Sequence, residues 1–336
     1  MASVPYRQHR RGDATLKSIA AQLNLHPSTV SVVLNDVPGR SIPDDTRRRI
    51  KETARLAGYK PNILARSLLT QRTGIVGVIL PEVGDRYRGQ IMNGIGARLM
   101  ELGYCYMACH HSNNHDVGFV AQQIASLRQR GAEGLILIDT SLPAHTSCPV
   151  VIIGGCAPPR SATVIALNNS RIATLTVEHL ISRGHRKLLL IGNHTREATV
   201  LAPVIEEEAR LSGLDVDKAY AEDMQQIVMN MSRPSGVPSQ PAHAIALLTF
   251  NTEDAASAHL LIGKCAQSQA MHVEIICVDS ANGEHIEKPS RSVTVIRQPL
   301  RSAGLIAVDT LLHLINGNRC LRDVVHLEPE IYPSAR

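Results

Sequence analysis

Residues 25–35 read LHPSTVSVVLN. At 3.6 residues per turn, Val30, Val33 and Leu34 share one face of a helix. Ser28, Ser31, Val32 and Asn35 share another, with Thr29 at its edge. Pro27 stands where a first-turn proline is tolerated. The apolar face needs partners, and the flanking sequence provides them. Upstream, Thr15 is placed to cap a helix whose Leu16, Ile19, Ala20 and Leu23 line one side. Ser18 occupies the third position instead of Glu or Gln, so the capping box is expected to be incomplete. Asn24 to His26 form a three-residue turn. Downstream, DVPGRSIP leads to a third helix from about Asp44 to Ala57, with Ile50, Ala54 and Ala57 inward and Gly58 at its stop. Three short helices, the first two joined by a tight turn, predict a helix-turn-helix unit. The outer row of the second helix, small and uncharged, is left facing away from this core.

The charge distribution suggests what that row meets. Residues 1–72 carry 13 Lys/Arg against 5 Asp/Glu, whereas residues 73–336 carry 22 against 25. The net charge of +5 therefore belongs to the N-terminal part, as contact with a polyanion requires. Residues 1–14 hold Arg7, His9, Arg10 and Arg11 without an apolar stretch and read as a basic tail, not a secretion signal. No apolar run approaches the roughly 18–20 residues of a membrane span. Seven scattered cysteines suit a reducing compartment. A cytoplasmic protein without a membrane partner is expected.

After the third helix, KPNILARSLLTQRTG spans residues 60–74. Pro61 breaks the chain and Asn62 can cap a short helix to about Leu69, one too short to stand alone in water. From Gly74 onward, short apolar runs alternate with amphipathic helical stretches. The runs fall at 75–80, 104–109, 134–138, 149–153, 163–167, 187–192, 244–249 and 274–278; helices are expected at 88–102, 118–130, 170–183, 199–212 and 254–267. This alternation predicts parallel sheets covered on both faces. Some 260 residues exceed one small sheet, so two doubly wound subdomains are expected, with a cleft at the carboxyl ends of the strands.

Four segments carry a resemblance to a known family. TLKSIAAQLNLHPSTVSVVLN, AGYKPNILARSLLTQRTGIVGVILP, VEHLISRGHRKLLLIGN and SVTVIRQPLRSAGLIAVDTLL resemble the DNA-binding helices, hinge, first core strand and two core segments of the LacI/GalR family of bacterial transcription regulators. The resemblance covers nearly the whole chain and is most specific in the first 80 residues. It implies an α/β chain: a helix-turn-helix domain (15–60), a hinge helix or linker (61–72) and a periplasmic-binding-protein-like core (73–336). The core would divide into one subdomain of about 73–166 and 300–322 and another of about 167–299 and 323–336. The implied working form is a homodimer on a pseudo-palindromic double-stranded DNA operator, a repressor more than an activator, with a small-molecule effector between the subdomains.

On that resemblance Ser28, Thr29, Ser31, Val32 and Asn35 face the major groove, where bases offer donors, acceptors and the thymine methyl. Many relatives carry a long polar residue where Val32 stands, so apolar contact gains weight here. Thr15 and Tyr59 would hold the backbone. In the hinge, Asn62 and Arg66 would reach phosphate or base edges, and Ala65 would let two hinge helices approach. Leu68 matches a leucine that wedges between base pairs in the minor groove. For the effector the matching positions are Tyr87, Arg196, Asn251 and Asp279, but the pattern erodes. Thr252 replaces the acid that usually follows Asn251, and Ser280 replaces the second acid after Asp279. Aromatic residues are 3% of the chain and Trp is absent, so stacking platforms are scarce. The effector is then small or anionic, or the regulator works without one.

Other chemistry finds little support in the sequence. Cys105, Cys109, His110, His111 and His115 resemble a metal set, but both cysteines lie on a strand expected to be buried, where free Cys acts as a small hydrophobe. No metal and no cofactor is expected. His179 and His185 flank a helix end, where solvated or capping roles are expected. No nucleophile–base–orienter set stands out, so no enzymatic activity is expected. A ligand-binding receptor or an enzyme on the same scaffold remains the alternative from another class.

Overall fold

The computed structural model describes residues 14–35, 41–59, 67, 72–81, 86–111, 117–143, 146–154, 162–192, 196–231, 245–265, 273–279, 293–319 and 323–334. The chain forms two compact units, Met1–Gly74 and Ile75–Arg336.

In the first unit, α1 (Leu16–Leu23), α2 (Pro27–Leu34) and α3 (Asp44–Leu56) close over Ile19, Ala20, Val30, Val33, Ile50 and Ala54, all buried. The capping box on α1 is complete, contrary to expectation. Thr15 Oγ1 accepts from the Ser18 N–H (3.1 Å), and Ser18 Oγ accepts from the Thr15 N–H (2.9 Å). A serine hydroxyl thus does the work ordinarily given to Glu or Gln. Asn24 takes the left-handed conformation (φ 53°), a role its short polar side chain tolerates, and turns the chain from α1 into α2. At Gly58 (φ 64°) the chain leaves α3, with the Tyr59 N–H donating back to the Ala54 carbonyl.

The second unit contains two six-stranded sheets. The first joins β1 (Ile75–Pro81), β2 (Cys105–His111), β3 (Gly134–Ile138), β4 (Val150–Ile153), β5 (Thr163–Leu167) and β11 (Val324–Leu327) in the order β11-β5-β4-β3-β1-β2, all pairs parallel. The second joins β6 (Lys187–Gly192), β7 (Asp215–Tyr220), β8 (Ile245–Thr249), β9 (Val273–Asp279), β10 (Val293–Arg297) and β12 (Glu330–Tyr332) in the order β12-β10-β9-β8-β6-β7. Only the β10–β12 pair is antiparallel. Successive strand residues feed opposite cores. Leu188 and Leu190 belong to one cluster and Leu189 and Ile191 to another, as a sheet covered on both faces demands.

Helices α4 (Arg86–Glu101) and α10 (Leu300–Ile315) pack on one face of the first sheet and α5 (Val117–Gln129) on the other. On the second sheet, α6 (Asn169–Ser182) and α7 (Arg196–Leu211) cover one face; α8 (Met224–Met231) and α9 (Thr252–Cys265) cover the other. The expected runs all appear as strands. Strands β7, β10, β11 and β12 and helices α8 and α10 stand in addition to the predicted runs and helices.

Two expectations need correcting. Residues 323–336 do not fall together in the second lobe, because β11 pairs with β5 in the first sheet and only β12 belongs to the second. Strand β2 is not buried: it is an edge strand, with Cys105 exposed and Cys109 half-buried. Among the described residues, no group of His, Cys, Asp and Glu is arranged to hold a metal ion. No described helix is long and apolar enough to cross a membrane.

Candidate functional site

Helix α2 carries the candidate surface. Its burial of Val30 and Val33 turns Ser28 fully outward and leaves Thr29, Ser31, Val32 and Asn35 half-exposed. Hydrogen bonds then divide this row. His26 caps the helix: its Nδ1 accepts from the Ser28 N–H (3.3 Å) and lies 2.7 Å from Ser28 Oγ. With Nδ1 accepting, the Ser28 hydroxyl donates a hydrogen bond to His26 and keeps its lone pairs outward. Asn35 donates from Nδ2 to the Ser31 carbonyl (2.9 Å) and to Ser31 Oγ (3.2 Å). The surface left over is short: Ser28 as acceptor, the Thr29 hydroxyl and the Val32 methyls.

Helix α3 adds charge, with Arg47, Arg48, Arg49, Lys51 and Arg55 against Asp44, Asp45 and Glu52. Arg48 pairs with Asp45 (2.8 Å) and Arg55 with Glu52 (2.7 Å), exposed contacts of the kind that contribute little to stability. Tyr59 lies half-buried against the three-helix core, and burial raises its hydroxyl pKa. Thr15, placed by the sequence at the DNA backbone, is exposed and committed to capping. Asn62, Ala65, Arg66 and Leu68 lie outside the described residues; Ser67 between them is helical.

The four effector candidates lie in different settings in the core. Tyr87 is fully buried in the first-lobe cluster among Val78, Leu80 and Ile91, so its ring offers no open stacking face. The Asn251 side chain is engaged at the start of α9: Oδ1 accepts from the Asp254 N–H (2.6 Å) and Nδ2 donates to Asp254 Oδ2 (2.8 Å). Arg196 opens α7, and Asp279 ends β9 opposite Arg297 of β10.

Three residues absent from that expectation stand where the cleft was sought. Asp139 follows β3 at its carboxyl end with φ 47°, and its carboxylate lies 3.8 Å from Arg88 Nε, both side chains largely buried. A Cβ on Gly154 (φ 103°) would stand 2.2 Å from Asp139 Oδ1, so glycine there makes room for the carboxylate. Arg86, at the start of α4, reaches the other lobe. Its Nη1 donates to Thr252 Oγ1 (3.0 Å) and its Nη2 pairs with Glu253. The sequence signal for these three is slight: an acid directly after the run at 134–138 and two bases several residues after the run at 75–80.

His179 and His185 are neither solvated nor capping: both side chains are buried and converge on Glu274. Thr294 also donates to that carboxylate (2.8 Å). Burial pushes the Glu274 carboxyl up, but the hydrogen bonds from His179, His185 and Thr294 outweigh it and hold the group well below the usual carboxylate range.

Similarity to known proteins extends over most of the chain. Residues 73–231 match the family of periplasmic binding proteins and sugar binding domain of LacI family, and residues 177–333 match the periplasmic binding protein-like domain. The HTH-type transcriptional repressor PurR of Aliivibrio fischeri is 25% identical over 95% of this chain and 96% of its own. The ribose operon repressor of Escherichia coli is 21% identical over 94% and 97%, and the regulator PtxS of Pseudomonas putida 20% over 92% of each. Among solved structures, the Lac repressor bound to ONPG superposes with a TM-score of 0.70 at 20% identity, covering 95% of this chain and 98% of that one. A Lac repressor dimer bound to operator and the anti-inducer ONPF gives the same TM-score, again at 20% identity, over 95% and 97%.

Proposed function

The chain belongs to the LacI family of transcription regulators, and from that premise we propose that it is a homodimeric, sequence-specific DNA-binding repressor. The observation that carries the reading is the outer row of α2. Val30 and Val33 hold the helix down, and Ser28, Thr29 and Val32 are presented together beside the basic α3. In the major groove Thr29 reads a donor or acceptor and Val32 a thymine methyl, while the α3 cations set position on phosphates. Two such heads occupy the half-sites of a pseudo-palindromic operator, and Leu68 of each hinge wedges open its centre. These are cytoplasmic events.

The core supplies control. A small molecule between the lobes changes their angle and thereby the geometry of the hinge pair. Arg88, Asp139, Arg196 and Asp279 are the residues proposed to meet it. The named relatives are regulators rather than enzymes, and the same is proposed here. The test is duplex-DNA affinity across a salt series for the full chain and for Val32→Asp. Binding that weakens steeply with salt, and is lost in a variant of unchanged melting temperature, supports the reading. Equal binding by both proteins contradicts it.

A further inference from the structure

The chain passes between lobes three times: from β5 to α6, from β10 to α10 and from β11 to β12. At the last two crossings lies a cavity of about 170 Å³, lined among others by Arg297, Gln298, Arg301, Ser302, Glu328 and Glu330. None of the effector candidates named above lines it.

Its hydrogen-bonding capacity is lopsided. One oxygen of each acid is engaged: Glu328 Oε1 accepts from Asn168 Nδ2 (2.9 Å), and Glu330 Oε2 accepts from the Tyr332 hydroxyl. The Arg297 guanidinium stacks on the Tyr332 ring at 4.5 Å from its centroid. Two buried donor atoms find no acceptor. Gln298 is only 6% exposed, and its Nε2 has no acceptor among the described residues; nor does Arg297 Nε. Helix α10 starts at the same place without a side-chain cap. The Leu300 N–H goes to the Gln298 carbonyl and the Ala303 N–H to that of Pro299. The N–H groups of Arg301 and Ser302 in the first turn have no intrahelical acceptor, and the partial positive charge of a sixteen-residue helix lies behind them.

We propose that this crossover cavity binds a small anion bearing a carboxylate, phosphate or sulfate group. The Gln298 amide, the Arg301 and Ser302 N–H groups and the Arg301 guanidinium supply donors, as at other anion sites built on helix N-termini. The volume is that of several waters of ~30 Å³ each and falls below the ~300–1,000 Å³ of sites for larger ligands. Glu328 and Glu330 repel a polyphosphate, so a singly or doubly charged ion is favoured. A bound anion ties segment 297–302 to segment 328–330, two of the three strands of chain on which the lobes turn.

The test is titration calorimetry of the full chain without DNA, at ionic strength fixed with chloride, using inorganic phosphate in one arm and acetate in the other. Saturable one-to-one binding in either arm is expected, weakened tenfold or more in Arg301→Glu and in Gln298→Leu. Arg301 is exposed, so Arg301→Glu should melt like the parent. Binding of phosphate alone supports a phosphate-bearing ligand, and binding of acetate alone a carboxylate. Absence of saturable heat in both arms, or binding that Arg301→Glu retains at wild-type melting temperature, overturns the site. No DNA is present, so that failure leaves the regulatory reading standing.

Discussion

His179 and Glu274, far apart in sequence, meet at 2.7 Å between Nε2 and Oε1 inside the second lobe. His185 Nε2 reaches the other carboxylate oxygen at 2.8 Å, and Arg183 Nε approaches to 3.7 Å. Arg183 in turn donates to the carbonyl and hydroxyl of Ser334, which ties the end of the described chain to the same cluster. The Glu274 carboxyl is held below its unfolded value, so its contribution to stability is present above about pH 4.3 and is lost as pH falls below that. Urea unfolding from pH 7 to pH 3 should show this acid slope in the parent and a shallower one in Glu274→Gln. At pH 7, Glu274→Ala should cost about 3–5 kcal/mol, since it strands buried donors. Identical acid slopes for parent and Gln variant would exclude the linkage.

Helices α4 and α10 touch through glycine. A Cβ on Gly304 would stand 2.2 Å from the Ile91 carbonyl oxygen, a backbone atom unable to swing aside. Alanine ordinarily stabilises a helix over glycine by about 0.8–1 kcal/mol. Here overpacking of about 1–3 kcal/mol opposes that gain and wins. Gly304→Ala is therefore expected to lower the unfolding free energy, whereas Gly89→Ala, with nothing within 4 Å, should leave it unchanged or raise it. Equal shifts in the two variants would show that the close approach is not a constraint.

Val32 is half-exposed on α2, so Val32→Arg should fold normally and bring a long donor to the groove. A guanidinium there favours guanine, with discrimination of about 1–3 kcal/mol at the contacted pair. Comparing the duplexes selected by parent and variant measures this. Selection of one and the same site by both proteins refutes the placement of Val32.

Much of this was legible in the sequence for one reason: apolar periodicity reports directly which side of an element is buried. That reason covers α1 to α3 and the runs IVGVIL, GLILI and KLLLIG, all of which form elements where expected. Some of the missed elements are those in which the signal is weak, although β10 and α10 are buried and apolar and were legible as well. Strand β7, DVDKAY, is an edge strand exposed on most of its length, and β11 and β12 are only four and three residues long. The candidate site was less legible than the fold. Nothing in the spacing of His179, His185 and Glu274 announces that a helix end and a strand start will meet. Tyr87 sits one residue from Arg88, and only packing decides that the ring turns into the core while Arg88 approaches Asp139. The α2 row was legible as a face, but its internal hydrogen bonds were not. The pairing of Asn35 with Ser31 depends on a helix already formed.

Leu68 is proposed as the hinge wedge. Leu68→Ala should weaken operator binding and reduce the bend while leaving the dimer intact, because the inserted side chain opens the base step, and the few kcal/mol of unstacking are offset by the contacts that the bend allows. Bending read by fluorescence transfer across a labelled operator checks this. An unchanged bend angle contradicts the wedge.

The most direct measurement is selection of duplexes from a random pool by the purified full chain at moderate ionic strength, followed by sequencing. The account predicts enrichment of one element with two inverted half-sites, depleted when Val32 or Thr29 is replaced by Asp. A pool that emerges without any enriched symmetric element would contradict it.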